Sequence, residues 1–387
     1  SGIFAQIAVT VLIIGSLIWY YSGGRSRVEF EDAIPDFKRR WEEHGLKIFG
    51  LPIERFEAET SEEWHPGVRA LNANDPRHVV TALANPDTEG DLMRLGQLIA
   101  AGATEPGRVT GLSIVKVPYQ TPLSTIRRKL EERQSVKDSI KQIGERVKLK
   151  EDEAPSDSAK ALAETTIEPV SEAAYNVFNG LIDETESRKA DMMLMGWQGG
   201  FSIGRIYNSP VQKIIKNLEA DVGILKDRGL EKIDSILLPW GGGYHAQLGL
   251  EIGLRIARNL NAELTILRLV KPGTVEEDER TQLEKIISPL TDKFDNLNIK
   301  IMESESITDG IDTVLNEGEY DLTIIGASHE WSIRNVLFGT ITDIVADSAP
   351  CSVLMVRRHL TEDWKLKASE SLKRMKEQLG MTSSPES

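Results

Sequence analysis

Apolar residues along the chain fall into three kinds of run. The first is a single unbroken span, Ile3–Tyr21 (IFAQIAVTVLIIGSLIWYY), with 19 residues and no charge. At 1.5 Å per residue it matches a hydrocarbon layer of about 30 Å, which predicts a transmembrane helix over residues 1–22. Gln6 and Thr10 share a face suited to another helix. Trp19, Tyr20 and Tyr21 form an interfacial belt, Arg25 and Arg27 follow, and nothing basic precedes, so the positive-inside rule places the C-terminal bulk in the cytoplasm. A cleavable signal peptide would carry a basic start, a shorter apolar run and a small-residue cleavage site, and the all-round apolarity argues against a buried core helix. The chain opens on Ser rather than Met, so the expectation is a processed chain or one cut from a longer polypeptide.

The second kind is short, continuous and rich in Val, Ile and Leu, and it occurs twice in the same arrangement. His78–Leu83 is followed by the turn Asn85-Pro86-Asp87, a helical pattern from Leu92 to Ala101 and the run Val109–Val117. Ile233–Leu238 is followed by Pro239-Trp240-Gly241-Gly242-Gly243, a helical pattern Leu248–Leu260 and the run Glu263–Val270. Strand, turn, helix, strand is a βαβ opening, and continuous apolar strands suit a parallel sheet buried on both faces. The endings correspond as well. A helical pattern over Ala173–Thr185 leads to Asp191 and the strand Met192–Gly196; one over Ile311–Glu317 leads to Asp321 and Leu322–Gly326. Each is followed by a polar loop, a helix and a last strand, Val222–Leu225 and Ser352–Val356. This is an internal duplication. From His78 to Gly196 is 118 residues and from Ile233 to Gly326 is 93, so the first copy holds 25 more. The charged helical stretch and acidic linker at 121–160 account for that surplus. Its Ile126, Leu130 and Val136 suit cover for a sheet edge or a partner contact.

The third kind is amphipathic. In the connector at 23–76, Phe37, Trp41, Leu46 and Phe49 form either an interfacial face or a contact to the domain that follows. In the tail at 359–387, Thr361 caps a helix with Trp364, Ala368, Leu372, Met375 and Leu379 on one face and Gly380 after it. That face packs back onto the protein or, with its lysines, meets anionic lipid. The predicted organisation is therefore a membrane helix (1–22), a connector (23–76), a first α/β domain (77–227, insert 121–160), a second (231–358) and an amphipathic tail.

Charge narrows the function classes. The 387 residues carry 46 Lys and Arg against 60 Asp and Glu, a net charge of −14, which excludes a general basic nucleic-acid surface. A single Cys, Cys351, with six His excludes an internal disulfide and offers no cysteine-rich zinc site. No nucleophile–base pair, carboxylate dyad or metal-ligand cluster can be named from spacing, so the expectation is a protein that is not an enzyme and holds no metal.

In open parallel sheets, ligands bind beyond the carboxyl ends of the strands, where helix N-termini attract phosphates. The loop after the late strand of the second copy reads GASHEWSIRNVLFGT: Gly326, two residues to His329, nine more to Gly339-Thr340. The same frame in the first copy reads Gly196, Gly199 and Ser209-Pro210. These loops, with Ala349-Pro350-Cys351 before the last strand, resemble the universal stress protein family, whose nucleotide binders carry G-x2-G-x9-G-[S/T] there. The resemblance implies two tandem doubly wound, Rossmann-like domains. It also implies an adenine-nucleotide or cyclic-dinucleotide site at Gly326, Ser328, His329, Gly339, Thr340 and Gly241, with Gly196 and Gly199 in the first copy. The chain departs from the pattern at His329, at Ser209-Pro210, and in lacking an acidic residue directly after the opening strands. Trp240 is a candidate for stacking on a base or for packing, and His245 and His329 for an anion contact or ordinary turn positions.

A membrane helix followed by such a pair resembles the C-terminal region of amino-acid/polyamine/organocation-type permeases and of cation–chloride cotransporters. The expected function is a membrane-anchored regulatory module of a transporter at the cell membrane, sensing ATP, AMP or a cyclic dinucleotide and mediating dimerisation. The alternative is a single-span accessory subunit whose domains bind nothing.

Overall fold

The computed structural model describes residues 73–84, 86–132, 157–197, 210–230, 232–291, 294–327 and 340–359. The predicted span at 3–21, the connector up to residue 72, the middle of the insert and the amphipathic tail lie outside the described residues. Among the described residues no helix is long and apolar enough to cross a membrane.

The first half runs β1 (His78–Ala82), α1 (Pro86–Ala100), β2 (Arg108–Lys116), α2 (Leu123–Glu132), α3 (Asp157–Glu164), β3 (Thr166–Ala174), α4 (Val177–Ser187), β4 (Met192–Gly196), α5 (Pro210–Asn217) and β5 (Asp221–Lys226). The second half runs β6 (Ser235–Pro239), α6 (Gly243–Leu260), β7 (Glu263–Val270), α7 (Glu276–Thr291), β8 (Leu297–Glu303), α8 (Ile307–Glu317), β9 (Leu322–Gly326), α9 (Thr340–Ser348) and β10 (Ser352–Arg357). Among the described residues ten strands join one sheet in the order β3-β2-β1-β4-β5-β10-β9-β6-β7-β8.

Every strand pair is parallel except β5 with β10, where the halves meet edge to edge. Register superimposes the halves strand by strand. Val79 faces Met192 and Val109 as Ile236 faces Leu322 and Leu264, and Gly196 faces Leu225 as Gly326 faces Val356. At the junction Ile224 faces Met355, with Val222 opposite Arg357 and Lys226 opposite Val353. A pseudo-twofold axis therefore passes through the pair Ile224/Met355. By the same register the first half is longer by 27 residues from Val79 to Gly196 than the second from Ile236 to Gly326: 25 of them fall between β2 and β3, where Val109 to Ile167 is 58 residues and Leu264 to Leu297 is 33, and two fall between β1 and β2.

Two expectations are corrected, and two strands are added to the predicted ones. The helical pattern over Ala173–Thr185 begins inside a strand: β3 ends at Ala174, and Asn176 starts α4 by accepting from the N–H groups of Phe178 and Asn179. Neither β3 nor β8 stands out in the apolar pattern, because both lie at the ends of the sheet and are mostly half-buried. Pro169 in β3 is tolerated at such an edge. Helices α1 and α6 begin at Pro86 and Gly243, well before their first apolar periodic residues, and proline suits a first helical position.

Helices α1 and α6 cover the sheet and pack on each other across the junction. A glycine on each lets the helix sit close to the strands: a Cβ at Gly96 would meet Thr81 Oγ1 at 2.7 Å, and one at Gly253 would meet Leu264 Cδ1 at 3.2 Å. Helix α2 packs against edge strand β3, which is the cover that the insert's apolar residues suggest.

Candidate functional site

The first half carries a cleft of about 340 Å³ at the carboxyl rim of the sheet. Gly196 and Trp197 at the end of β4, Leu225, Lys226 and Asp227 at the end of β5, and Thr88 in the first turn of α1 line it. This is the end of an open sheet at which ligands bind. Gly196 keeps the floor low, since a Cβ there would meet Leu92 Cδ1 at 3.2 Å and Thr88 Oγ1 at 3.5 Å.

Beside the cleft, Asp91 on α1 feels the charge of Asp227. Asp227 Oδ1 accepts from the Gly229 N–H at 2.9 Å and the Ser352 hydroxyl at 3.3 Å. Burial, reinforced by the Asp227 charge, pushes Asp91 up to about 6. Lys226 Nζ lies 2.8 Å from Asp347 Oδ1.

At the corresponding rim of the second half the equivalent positions are buried. Register and equal loop lengths place His245 where the first half has Thr88, Ala327 for Trp197, Arg357 for Lys226 and Arg358 for Asp227. His245, Arg357 and Arg358 are all buried. The His245 ring packs edge-on against Tyr244, and its Nδ1 accepts the Arg358 N–H at 2.9 Å. Arg357 donates to the Ile215 carbonyl of the first half. Gly326 is held close to the start of α6, because a Cβ would fall 2.7–2.9 Å from backbone atoms of His245 and Ala246.

A buried ionic cluster lies where the halves join. Glu251 of α6 receives Arg77 on Oε1 at 3.2 Å and Arg358 on Oε2 at 2.6 Å. Asp221 also takes Arg77 at 3.1 Å, and its other oxygen accepts the His359 N–H at 2.9 Å. Burial pulls the Arg77 guanidinium down, but Glu251 and Asp221 outweigh it and hold the group above its ordinary value. From the same helix Arg255 donates to the carbonyls of Ile99 and Ala101, Arg258 to Ala73, and Asn259 to Leu98. These bonds close the C-terminal end of α1 with side chains from the other half.

Of the residues expected at a site, Gly196 lines the cleft and Gly326 meets α6, whereas Gly241 lies in open space before α6. Thr340 opens α9, and Thr342, which the motif did not single out, donates from its hydroxyl to the Gly326 carbonyl at 2.9 Å. Gly199, Ser328, His329 and Gly339 lie outside the described residues. Trp240 is buried in the core cluster, so its place is packing. Cys351 is buried 3.3 Å from Thr323 Oγ1, and burial pushes its thiol up, as for an inert structural cysteine. Among the described residues no group of three or more metal-ligating side chains is found.

Comparison with known proteins bears on the second half first: residues 232–357 match the universal stress protein family. No curated protein matches the chain. Among solved structures, a universal stress protein from Archaeoglobus fulgidus is similar at 15% identity and a TM-score of 0.53, covering 76% of this chain and 99% of that one. The cytoplasmic domain of a prokaryotic cation chloride cotransporter is similar at 12% identity and a TM-score of 0.47, covering 73% and 95%. A universal stress protein in complex with cAMP gives 20% identity and a TM-score of 0.25, covering 38% and 95%. The likeness in fold is carried by the first of these, whose coverage of this chain is greater than either half alone. By sequence, residues 232–357 match the universal stress protein family, and by fold the likeness spans both halves.

Proposed function

We propose that the chain is a membrane-anchored cytoplasmic regulatory module of an amino-acid-permease-like transporter, built from two tandem universal-stress-like domains that sense an adenine nucleotide. The observation that carries this reading is the cleft of the first half, bounded by Gly196 and Thr88 at the carboxyl rim. It has the place and size class of a small-ligand site in an open α/β sheet. The uncharged span Ile3–Tyr21 supports the anchor. Binding changes how the two halves pack and so biases the membrane partner, which requires the ligand to prefer one arrangement over the other. Dimerisation, in this reading, uses a surface other than β5 and β10, whose edges already pair within the chain. The module acts by binding, with no turnover.

The test is calorimetric titration of the full chain in lipid nanodiscs with ATP, AMP and a cyclic dinucleotide. Binding heat with at least one of them is expected; no heat with any sinks the sensor. ATP hydrolysis by the same preparation would overturn the non-enzymatic reading. A second reading, a single-span accessory subunit with structural domains, is favoured by the second half, where His245 and Arg358 at the equivalent rim positions are buried and bonded to each other. Further apolar spans encoded upstream of Ser1 would support the transporter module over the accessory subunit.

A further inference from the structure

One lip of the first half's cleft is held by the second half. Lys226, at the end of β5, lines the cleft, and its Nζ lies 2.8 Å from Asp347 Oδ1 in the last turn of α9. Arg228 donates from its guanidinium to the Asp347 carbonyl at 2.7 Å and from its backbone N–H to the Ser352 hydroxyl at 2.9 Å. That hydroxyl donates in turn to Asp227, another lining residue, at 3.3 Å. The end of β5 is thus tied to the segment between α9 and β10 along its whole length.

We propose that Asp347 is an exchangeable counter-ion for Lys226: an anionic ligand in the cleft takes the ammonium from it and so carries occupancy of the first half to α9 of the second. This rests on the nucleotide reading of the cleft and adds the residue through which binding is felt across the junction.

The two partners are unequally placed. The Lys226 side chain is 14% exposed and that of Asp347 is 56% exposed. A buried ammonium needs an opposite charge at hand, whereas a half-exposed carboxylate that loses its partner turns to water at little cost. Asp347 is therefore the member that can leave, and the phosphate of a nucleotide is a charge that can replace it. After the exchange Arg228 still holds the Asp347 carbonyl, so α9 loses one tie to the first half rather than its whole contact.

The pseudo-twofold relation supplies an internal control. Register puts Arg357 at the position of Lys226, and equal spacing before the last strand puts Lys216 at that of Asp347. Two cations make no such pair, and Arg357 donates instead to the Ile215 carbonyl. The acid–base pair across the junction belongs to the side that has the cleft.

Calorimetric titration of the full chain in lipid nanodiscs with ATP, AMP and, as an uncharged control, adenosine tests the exchange. In Asp347→Asn the nucleotides should bind roughly fivefold more tightly, because they no longer displace a carboxylate, while adenosine behaves as with the wild type. In a Lys226→Met background that gain should vanish. A purely structural role for Asp347 would move nucleotide and nucleoside alike. Nucleotide binding that Asp347→Asn leaves unchanged or weakens, or an equal change for adenosine, overturns the exchange and leaves the nucleotide site standing. No heat from ATP or AMP in wild type and variant alike overturns the nucleotide reading, and the exchange with it.

Discussion

The two halves of the sheet share strand order, register and a glycine on each first helix, yet positions that border a cleft in one are buried in the other. Three side chains make most of the difference: Thr88, Lys226 and Asp227 border a cleft where His245, Arg357 and Arg358 are buried. The repeated pattern of apolar strands specifies the sheet and its helices. Whether a cleft exists is decided by the few positions just past the strand ends, which core packing leaves nearly unconstrained. Gly326 illustrates the distinction: it holds the motif position of Gly196, and its absent Cβ makes room for a helix backbone rather than for a ligand.

The largest effect expected on this comparison comes from the cluster that locks the halves together. Glu251→Gln leaves Arg77 and Arg358 buried without their common carboxylate and should cost about 3–5 kcal/mol in urea unfolding. Next come the two rim glycines. Gly326→Ala drives a methyl group into the backbone of α6 and should cost about 2–3 kcal/mol, whereas Gly196→Ala meets only side-chain atoms and should cost less than about 1 kcal/mol. Equal costs would mean that the two rims are built alike.

A smaller effect, of opposite sign, is expected on α1. Gln97 is fully buried with neither amide atom bonded to another protein group, and the second half has Leu254 at that position. Gln97→Leu should therefore raise stability by about 1 kcal/mol, read as a shift in the unfolding midpoint. Smallest in stability is Thr88→His, which gives the first rim the residue of the second. It should change stability by less than about 0.5 kcal/mol while abolishing nucleotide heat. Undiminished heat would show that the ligand lies elsewhere.

Much of the architecture was legible in the sequence. Central strands such as Met192–Gly196 and Leu322–Gly326 are buried on both faces, so their apolar runs are continuous and their repetition is plain. The length difference between copies is largest between β2 and β3, the stretch that holds the predicted insert. Edge strands β3 and β8 were not legible, because a strand with one neighbour and half-exposed residues mixes polar with apolar positions. The site was legible only as a loop position. Of the cleft's lining, Gly196 was named, but Thr88, Leu225, Lys226 and Asp227 come together only through tertiary structure. The buried bond between His245 and Arg358 was hidden for the same reason, since neither residue type signals burial by itself.

The antiparallel meeting of β5 and β10 has a consequence for abundance. Two separate chains joined by such an edge would come apart on dilution, and the fraction assembled would track expression level. Here both edges belong to one polypeptide, linked by the few residues between Lys226 and Ser235, so their pairing follows an effective concentration fixed by the tether. A single dilute copy holds the same ten-stranded sheet as a crowded population of many. Each half is also free to acquire substitutions that its counterpart would not tolerate, because no change at the junction is automatically imposed twice.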